Sequence, residues 1–187
     1  MQTRSYWQAV ERIIEIIAQE LPELKEPIEC ILAGGSAIHY YVHERVSHDV
    51  DIEFTKRILL PSDVVVAWND DNGKIEHLSL DRNYTSALGL MHPDYIKDAV
   101  EVGRFEDKLI LKVLSPIDLV VSKIARFQDN DQSDIAMLAK FGFIDEDECR
   151  LRSEEAMVYY IFPENFIRAN IEKACQIIQA NTSPSPR

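Results

Sequence analysis

Residues 28–54 read IECILAGGSAIHYYVHERVSHDVDIEF, and their pattern sets the frame for the whole chain. An apolar run leads into Gly34, a helix is expected from residue 36 to about 45, and residues 49–54 alternate polar and apolar without a break. The reading is strand, glycine turn, helix, strand. On a strand of period two, Val50, Ile52 and Phe54 point into a core while Asp49, Asp51 and Glu53 project from the opposite face. Carboxylates two residues apart on a strand start roughly 6 to 7 Å from each other. They repel, yet both can lean onto one hard divalent cation or a pair of them. The plainer alternative is an edge strand whose charged face keeps it soluble and unpaired.

The glycines add a second requirement. Gly34-Gly35-Ser36 closes the apolar strand and opens the helix, so backbone N–H groups at a helix N-terminus form an anion site. A phosphate there would face the acids across the turn. A tight turn that needs glycine for steric reasons alone is the alternative. Taken together, Gly34-Gly35, thirteen residues from Ser36 to His48, and then Asp49-Val50-Asp51-Ile52 resemble the signature of the DNA polymerase β nucleotidyltransferase superfamily. The spacing lies at the long end of that family's range.

The resemblance implies an α+β fold, a mixed β-sheet nucleotidyltransferase core flanked by helices, with a helical C-terminal extension. It implies that Asp49 and Asp51 bind two Mg²⁺ ions bridging the phosphates of a nucleoside triphosphate. Gly34, Gly35 and Ser36 would hold those phosphates through backbone N–H groups and the serine hydroxyl. In the superfamily a third carboxylate comes from a strand beside the two-acid strand. Val64-Val65-Val66-Ala67-Trp68, a polar turn containing Asn72-Gly73, and residues 75–81 read as a hairpin whose second arm ends at Asp81. Asp81 is therefore the third acid, as base or shared metal ligand, with Glu76 and Asp107 as weaker choices. An aspartate that only starts the following turn is the alternative.

Further along, Asp118-Leu119-Val120-Val121-Ser122-Lys123-Ile124, then Arg126 and the acidic stretch 129–135, resemble the helix that follows the catalytic sheet in small bacterial nucleotidyltransferase-like proteins. Many of those are domains of unknown function, and some relatives are toxins of toxin–antitoxin systems. The resemblance implies that Lys123 faces the triphosphate and that an antitoxin-like protein is a partner to consider. Asp131 and Asp134 read as capping or pairing groups on a helix over 133–141.

Composition bounds the remaining choices. With 187 residues, 46% of them hydrophobic, the chain can bury one sizeable core. The expected division is a core over 1–115, a helical subdomain over 116–181 and a disordered tail over 182–187. A net charge of −12 without any Lys/Arg run argues against a standing nucleic-acid or anionic-membrane surface, which also disfavours a nucleic-acid acceptor. No apolar segment approaches ~18 residues, so neither a membrane span nor a signal peptide is expected and the location reads as cytoplasmic. Cys30, Cys149 and Cys175 are widely spaced and lack a CxxC pair, which fits reduced core residues. His39 and His43 share a helix face near His48, but the glutamate of a metalloprotease helix is missing, and packing is the better reading.

The flanks are helical and β-hairpin in pattern. Trp7, Val10, Ile13, Ile14, Ile17 and Leu21 give an amphipathic helix over 5–21 whose expected role is packing. Residues 99–102 and 109–114 read as a second hairpin. Ser115-Pro116-Ile117-Asp118 starts a helix to about 127, Gly142 closes the helix before it, and Asp145-x-x-Glu148 opens one to about 160. Pro163 starts the last helix, and 181–187 is a frayed tail. The function expected is Mg²⁺-dependent transfer of a nucleoside monophosphate from a triphosphate to a hydroxyl acceptor. The alternatives are an inactive fold that binds nucleotide, or an interaction module working through its C-terminal third.

Overall fold

The computed structural model describes residues 2–3, 5–161 and 165–182. The chain divides into two compact units: Met1–Tyr84 with Ala99–Leu114, and Thr85–Asp98 with Ser115–Arg187. Segment 85–98 thus joins the helices, although its place in sequence had put it with the core.

The first unit is α+β. Its strands are β1 (Gln2–Thr3), β2 (Ile28–Ala33), β3 (Asp49–Phe54), β4 (Val65–Asn69), β5 (Ile75–Asp81), β6 (Val100–Phe105) and β7 (Leu109–Val113). They form a seven-stranded mixed sheet in the order β1-β4-β5-β3-β2-β7-β6. β2 runs antiparallel to β3 and parallel to β7, while β3 runs parallel to β5. The hairpins β4–β5 and β6–β7 follow the expected turns, and β6 continues to Phe105, where Glu106 and Asp107 turn the chain in left-handed conformations.

Helices α1 (Tyr6–Glu20) and α2 (Gly34–Val42) pack on the sheet and on each other. Ser5 caps α1, its hydroxyl accepting the Gln8 N–H, and Val10, Ile13, Ile14 and Ile17 are fully buried as the 3.6-residue period requires. α2 begins two residues earlier than its pattern predicts and ends earlier too. His43 adopts φ 58° and donates its N–H to the His39 carbonyl, which closes the helix before residue 45.

The second unit holds α3 (Tyr95–Asp98), α4 (Pro116–Ile124), α5 (Asp129–Lys140), α6 (Glu146–Met157) and α7 (Asn165–Asn181). Ser115 caps α4 with Pro116 just inside it. Phe127, at φ 51°, breaks the chain before α5. α5 starts four residues earlier than the expected 133 because Gln128 and Asp131 form a reciprocal capping box. Gly142, at φ +75°, follows α5 as its C′ residue, and Asp145 accepts the Glu148 N–H to open α6. The expected helix start at Pro163 and the tail over 183–187 lie outside the described residues. No helix among the described residues is long and apolar enough to cross a membrane.

All three cysteines are free and buried. Burial pushes the Cys30 thiol up to about 12, so it is an inert core group. In the helical unit, Asp118 is almost fully buried and takes both Nε and Nη2 of Arg152, at 2.8 and 2.9 Å, plus the Ser115 hydroxyl at 2.7 Å. Arg152 also reaches Asp98 at 2.7 Å, joining α3, α4 and α6. Replacing Arg152 with alanine strands a buried carboxylate and should cost roughly 3–5 kcal/mol, read as a lower urea midpoint. The double variant Arg152→Leu with Asp118→Asn removes both charges and should recover part of that loss.

Candidate metal and nucleotide site

The alternation of β3 works as its sequence predicts. Val50 and Ile52 are buried, Phe54 is half-buried, and Asp49 and Asp51 stand on the other face. Register then supplies the third acid. Asp51 on β3 lies directly across from Asp81 on parallel β5, and Asp49 lies across from Ser79. One carboxylate oxygen from each of Asp49, Asp51 and Asp81 lies within 4.8 Å of the others. Glu76 sits at the other end of β5 opposite Trp68 and pairs with Lys74, and Asp107 lies in the β6–β7 turn. Neither joins the cluster among the described residues.

Three oxygen donors of hard character, partly open to solvent, suit Mg²⁺ or Mn²⁺ far better than a soft or imidazole-seeking metal. Each carboxylate is also braced. Ser47 Oγ donates to Asp49 Oδ1 at 2.5 Å, and the Asn83 N–H donates to Asp81 Oδ1 at 2.8 Å. Asp51 is braced by shape. A Cβ on Gly34 would fall 1.8 Å from Asp51 Oδ2 and 2.9 Å from its Cγ, so the carboxylate occupies the space a side chain would need. Gly34 also has φ +60°, a conformation that costs other residues roughly 1–2 kcal/mol.

Gly34, Gly35 and Ser36 form the first turn of α2, whose N-cap Ala33 supplies no side-chain hydrogen bond. The positive end of the helix is thus presented beside the acids. The Ser36 hydroxyl is turned inward, bonded to Tyr6 Oη at 2.6 Å and donating to the Asp49 carbonyl at 3.2 Å. What this turn offers an anion is main-chain N–H, so the serine hydroxyl expected to touch phosphate is occupied elsewhere. Two residues escaped the sequence reading. A Cβ on Gly35 would lie 3.3 Å from the Arg45 guanidinium carbon, which places that cation at the same turn. Tyr6 is buried beneath Ser36, 30 positions away in sequence, and no local pattern links the two. Burial holds the Tyr6 phenol above its ordinary value despite its bonds to Ser36 and Ser47.

Of the three histidines in this stretch, His39 is buried while His43 and His48 are exposed. His39 lies 4.5 Å from the Tyr6 ring centroid and 5.7 Å from that of His43. Its Nδ1–H donates to the Arg45 carbonyl at 2.8 Å, since a carbonyl only accepts. Burial lowers its affinity for a proton, against the opposing pull of the Arg45 carbonyl.

Lys123, which the resemblance set facing the triphosphate, is held by two carboxylates within the helical unit. Its side chain is 7% exposed, with Nζ 2.7 Å from Asp134 and 3.4 Å from Asp131. Asp131 also takes Arg126 through Nε at 2.9 Å and Nη2 at 2.7 Å, and accepts the Gln128 N–H at 2.9 Å. Burial works to raise the Asp131 carboxyl, but these partners outweigh it and hold it below its ordinary value. Its stabilising contribution is therefore complete above the unfolded carboxyl range and is lost as pH falls through the folded value. The pairing expected of Asp131 and Asp134 is what they do, and Lys123 is their partner.

Two outcomes follow from this geometry. Gly34→Ala should displace the Asp51 carboxylate and lower stability by about 1–3 kcal/mol, measured by thermal unfolding in chelator. Lys123→Met should cost roughly 3–5 kcal/mol by removing the buried cation that Asp131 and Asp134 share. A Lys123→Met protein that melts like the parent but binds triphosphate less well would restore the phosphate role.

A family model described as "Nucleotidyltransferase of unknown function (DUF6036)" matches residues 8–179. No curated protein matches the chain.

Proposed function

The chain belongs to this nucleotidyltransferase family, and from that premise we propose that it moves a nucleoside monophosphate from a nucleoside triphosphate to a hydroxyl acceptor at Asp49, Asp51 and Asp81. The single observation that carries the reading is the register of β3 and β5, which brings Asp81 level with Asp51. Asp49 and Asp51 would hold the divalent ions, two Mg²⁺ by analogy with the superfamily, and Asp81 would share one of them. When bound, the metal supplies charge neutralisation for the phosphates and a lowered pKa for the acceptor hydroxyl.

The residues of the chain then have defined work. Gly34, Gly35 and Ser36 direct backbone N–H groups toward the β- and γ-phosphates, with the positive end of α2 behind them. Arg45, beside Gly35, adds a cation suited to phosphate oxygen. Asp81 accepts the proton as the acceptor oxygen bonds to the α-phosphorus, and the bond to the β-phosphate oxygen breaks to release pyrophosphate. Most of the acceleration in such a site comes from alignment and charge compensation, so a small set of side chains is sufficient. The acidic net charge of −12 favours a small-molecule or protein hydroxyl over a nucleic-acid end.

A second reading, a protein partner of antitoxin type, draws support from apolar side chains left in solvent at the end of α6 and the start of α7. Val158, Tyr159, Ile161 and Phe166 are 65 to 87% exposed.

Calorimetric titration of each nucleoside triphosphate, first with Mg²⁺ and then with chelator, tests the first reading. Metal-dependent binding is expected, and Asp49→Asn with Asp51→Asn should abolish it while raising thermal stability by roughly 0.2–1 kcal/mol through loss of like-charge repulsion. A double variant that binds triphosphate unchanged would sink the metal site. Absence of any triphosphate binding would favour the partner reading.

A further inference from the structure

The N-terminal helix reaches the acid cluster through one hydroxyl. Tyr6, at the start of α1, is 3% exposed, so its phenol has no access to bulk water and must find its partners in the protein. Its Oη lies 2.6 Å from Ser36 Oγ and accepts the Ser47 backbone N–H at 3.2 Å. Ser36 donates to the Asp49 carbonyl at 3.2 Å. A serine hydroxyl carries one proton. With that proton directed to Asp49, the bond between the two hydroxyls must run from Tyr6 O–H to Ser36 Oγ. Every direction in the relay is then fixed: Ser47 N–H to Tyr6, Tyr6 to Ser36, Ser36 to the main chain of Asp49.

The second branch ends on the carboxylate. Ser47 Oγ donates to Asp49 Oδ1 at 2.5 Å. Asp49 is exposed at the start of β3, so packing does not choose its rotamer, and this hydrogen bond does. One acceptor site of the carboxylate is thereby used and the other oxygen is left to a ligand. Both the main chain and the side chain of Asp49 are thus tied to residues that Tyr6 holds.

We propose that Tyr6 is a positioning residue for the metal site, its hydroxyl fixing Ser36 and Ser47 and through them the aim of the Asp49 carboxylate. This rests on the metal reading given above. A phenylalanine would keep the ring against His39 and Trp68, whose centroids lie 4.5 and 5.3 Å away. It would leave the Ser47 N–H without its acceptor and Ser36 without its donor. The segment over residues 44–48 keeps its bonds at Arg45 and His48 but loses the one at Ser47, the residue that aims the carboxylate, and Asp49 samples orientations that do not converge with Asp51 and Asp81. Ser47 is the hydrogen-bond partner one step behind Asp49, a place that typically controls metal affinity by about tenfold or more, and Tyr6 holds Ser47 there.

The test uses Mn²⁺ as probe, with free ion counted by its aqueous electron paramagnetic resonance signal, on the full chain at a temperature where each variant is folded. Tyr6→Phe should weaken Mn²⁺ binding about tenfold, and Ser47→Ala should weaken it to a similar degree. The double variant should bind no more weakly than the weaker single one, because both substitutions cut one path. Thermal melts in chelator report any separate loss of packing. A Tyr6→Phe protein with parental Mn²⁺ affinity, whatever its melting point, overturns the proposal, as does a double variant whose losses multiply. If Tyr6→Phe does not fold, parental affinity in Ser47→Ala overturns it instead. Should Asp49→Asn bind Mn²⁺ as tightly as the parent, the metal reading itself falls, and the positioning role with it.

Discussion

The whole site depends on the contact between the Asp51 carboxylate and the bare Cα of Gly34. β2 and β3 are antiparallel neighbours, and their register sets Ala33 opposite Asp51. The chain must therefore leave β2 and begin α2 directly over an acid. Any side chain at position 34 would fall 1.8 Å from Asp51 Oδ2, a separation at which repulsion exceeds any gain the contact could bring. Glycine resolves the conflict and accepts φ +60° in the same step. The result is a helix N-terminus and a carboxylate side by side, with opposite partial charges that favour each other.

Around that contact the acids are arranged by backbone pairing more than by side-chain choice. Asp49 and Asp51 share a face because strands alternate, and Asp81 joins them because β5 is the parallel neighbour of β3. Their mutual repulsion is countered only in part by Ser47 and Asn83. Such a cluster is stable in a folded protein when the remaining lone pairs face solvent or a cation, and its partial exposure meets that condition. The acids are thus placed where a metal would lower the free energy of the fold as well as serve chemistry.

The helical unit solves a different problem with the same chemistry. Asp118, Asp131 and Asp134 are buried, and each is matched by Lys123, Arg126 or Arg152. Buried ion pairs of this kind contribute little net stability against an apolar replacement, yet they are costly to break singly. They fix which helices meet, since a guanidinium with two carboxylate partners, as at Arg152, accepts few alternative geometries. Lys123 belongs to this set. A lysine on an otherwise apolar helix face resembles a ligand-binding group in one dimension, and its two aspartate partners become evident only when α5 folds back beside α4.

How much could be read in advance follows from the range over which each force acts. The alternation of residues 49–54, the glycine turn, both hairpins and the caps at Ser115 and Asp145 rest on neighbours within about four positions, and the sequence by itself determined them. It also determined the α+β class, through the resemblance carried by Gly34-Gly35 and Asp49-Val50-Asp51. Asp81 was reachable as a candidate because a hairpin arm ends there. Only the tertiary structure decided that it lies level with Asp51, since strand register is set by packing across the sheet. Tertiary structure alone also turned the Ser36 hydroxyl away from the anion turn, gave Lys123 to Asp134, and brought Tyr6 beneath the site. These outcomes join residues separated by 11 to 41 positions. Hydrogen bonds and ion pairs at that separation exist only after the chain has buried its core, so no local pattern encodes them.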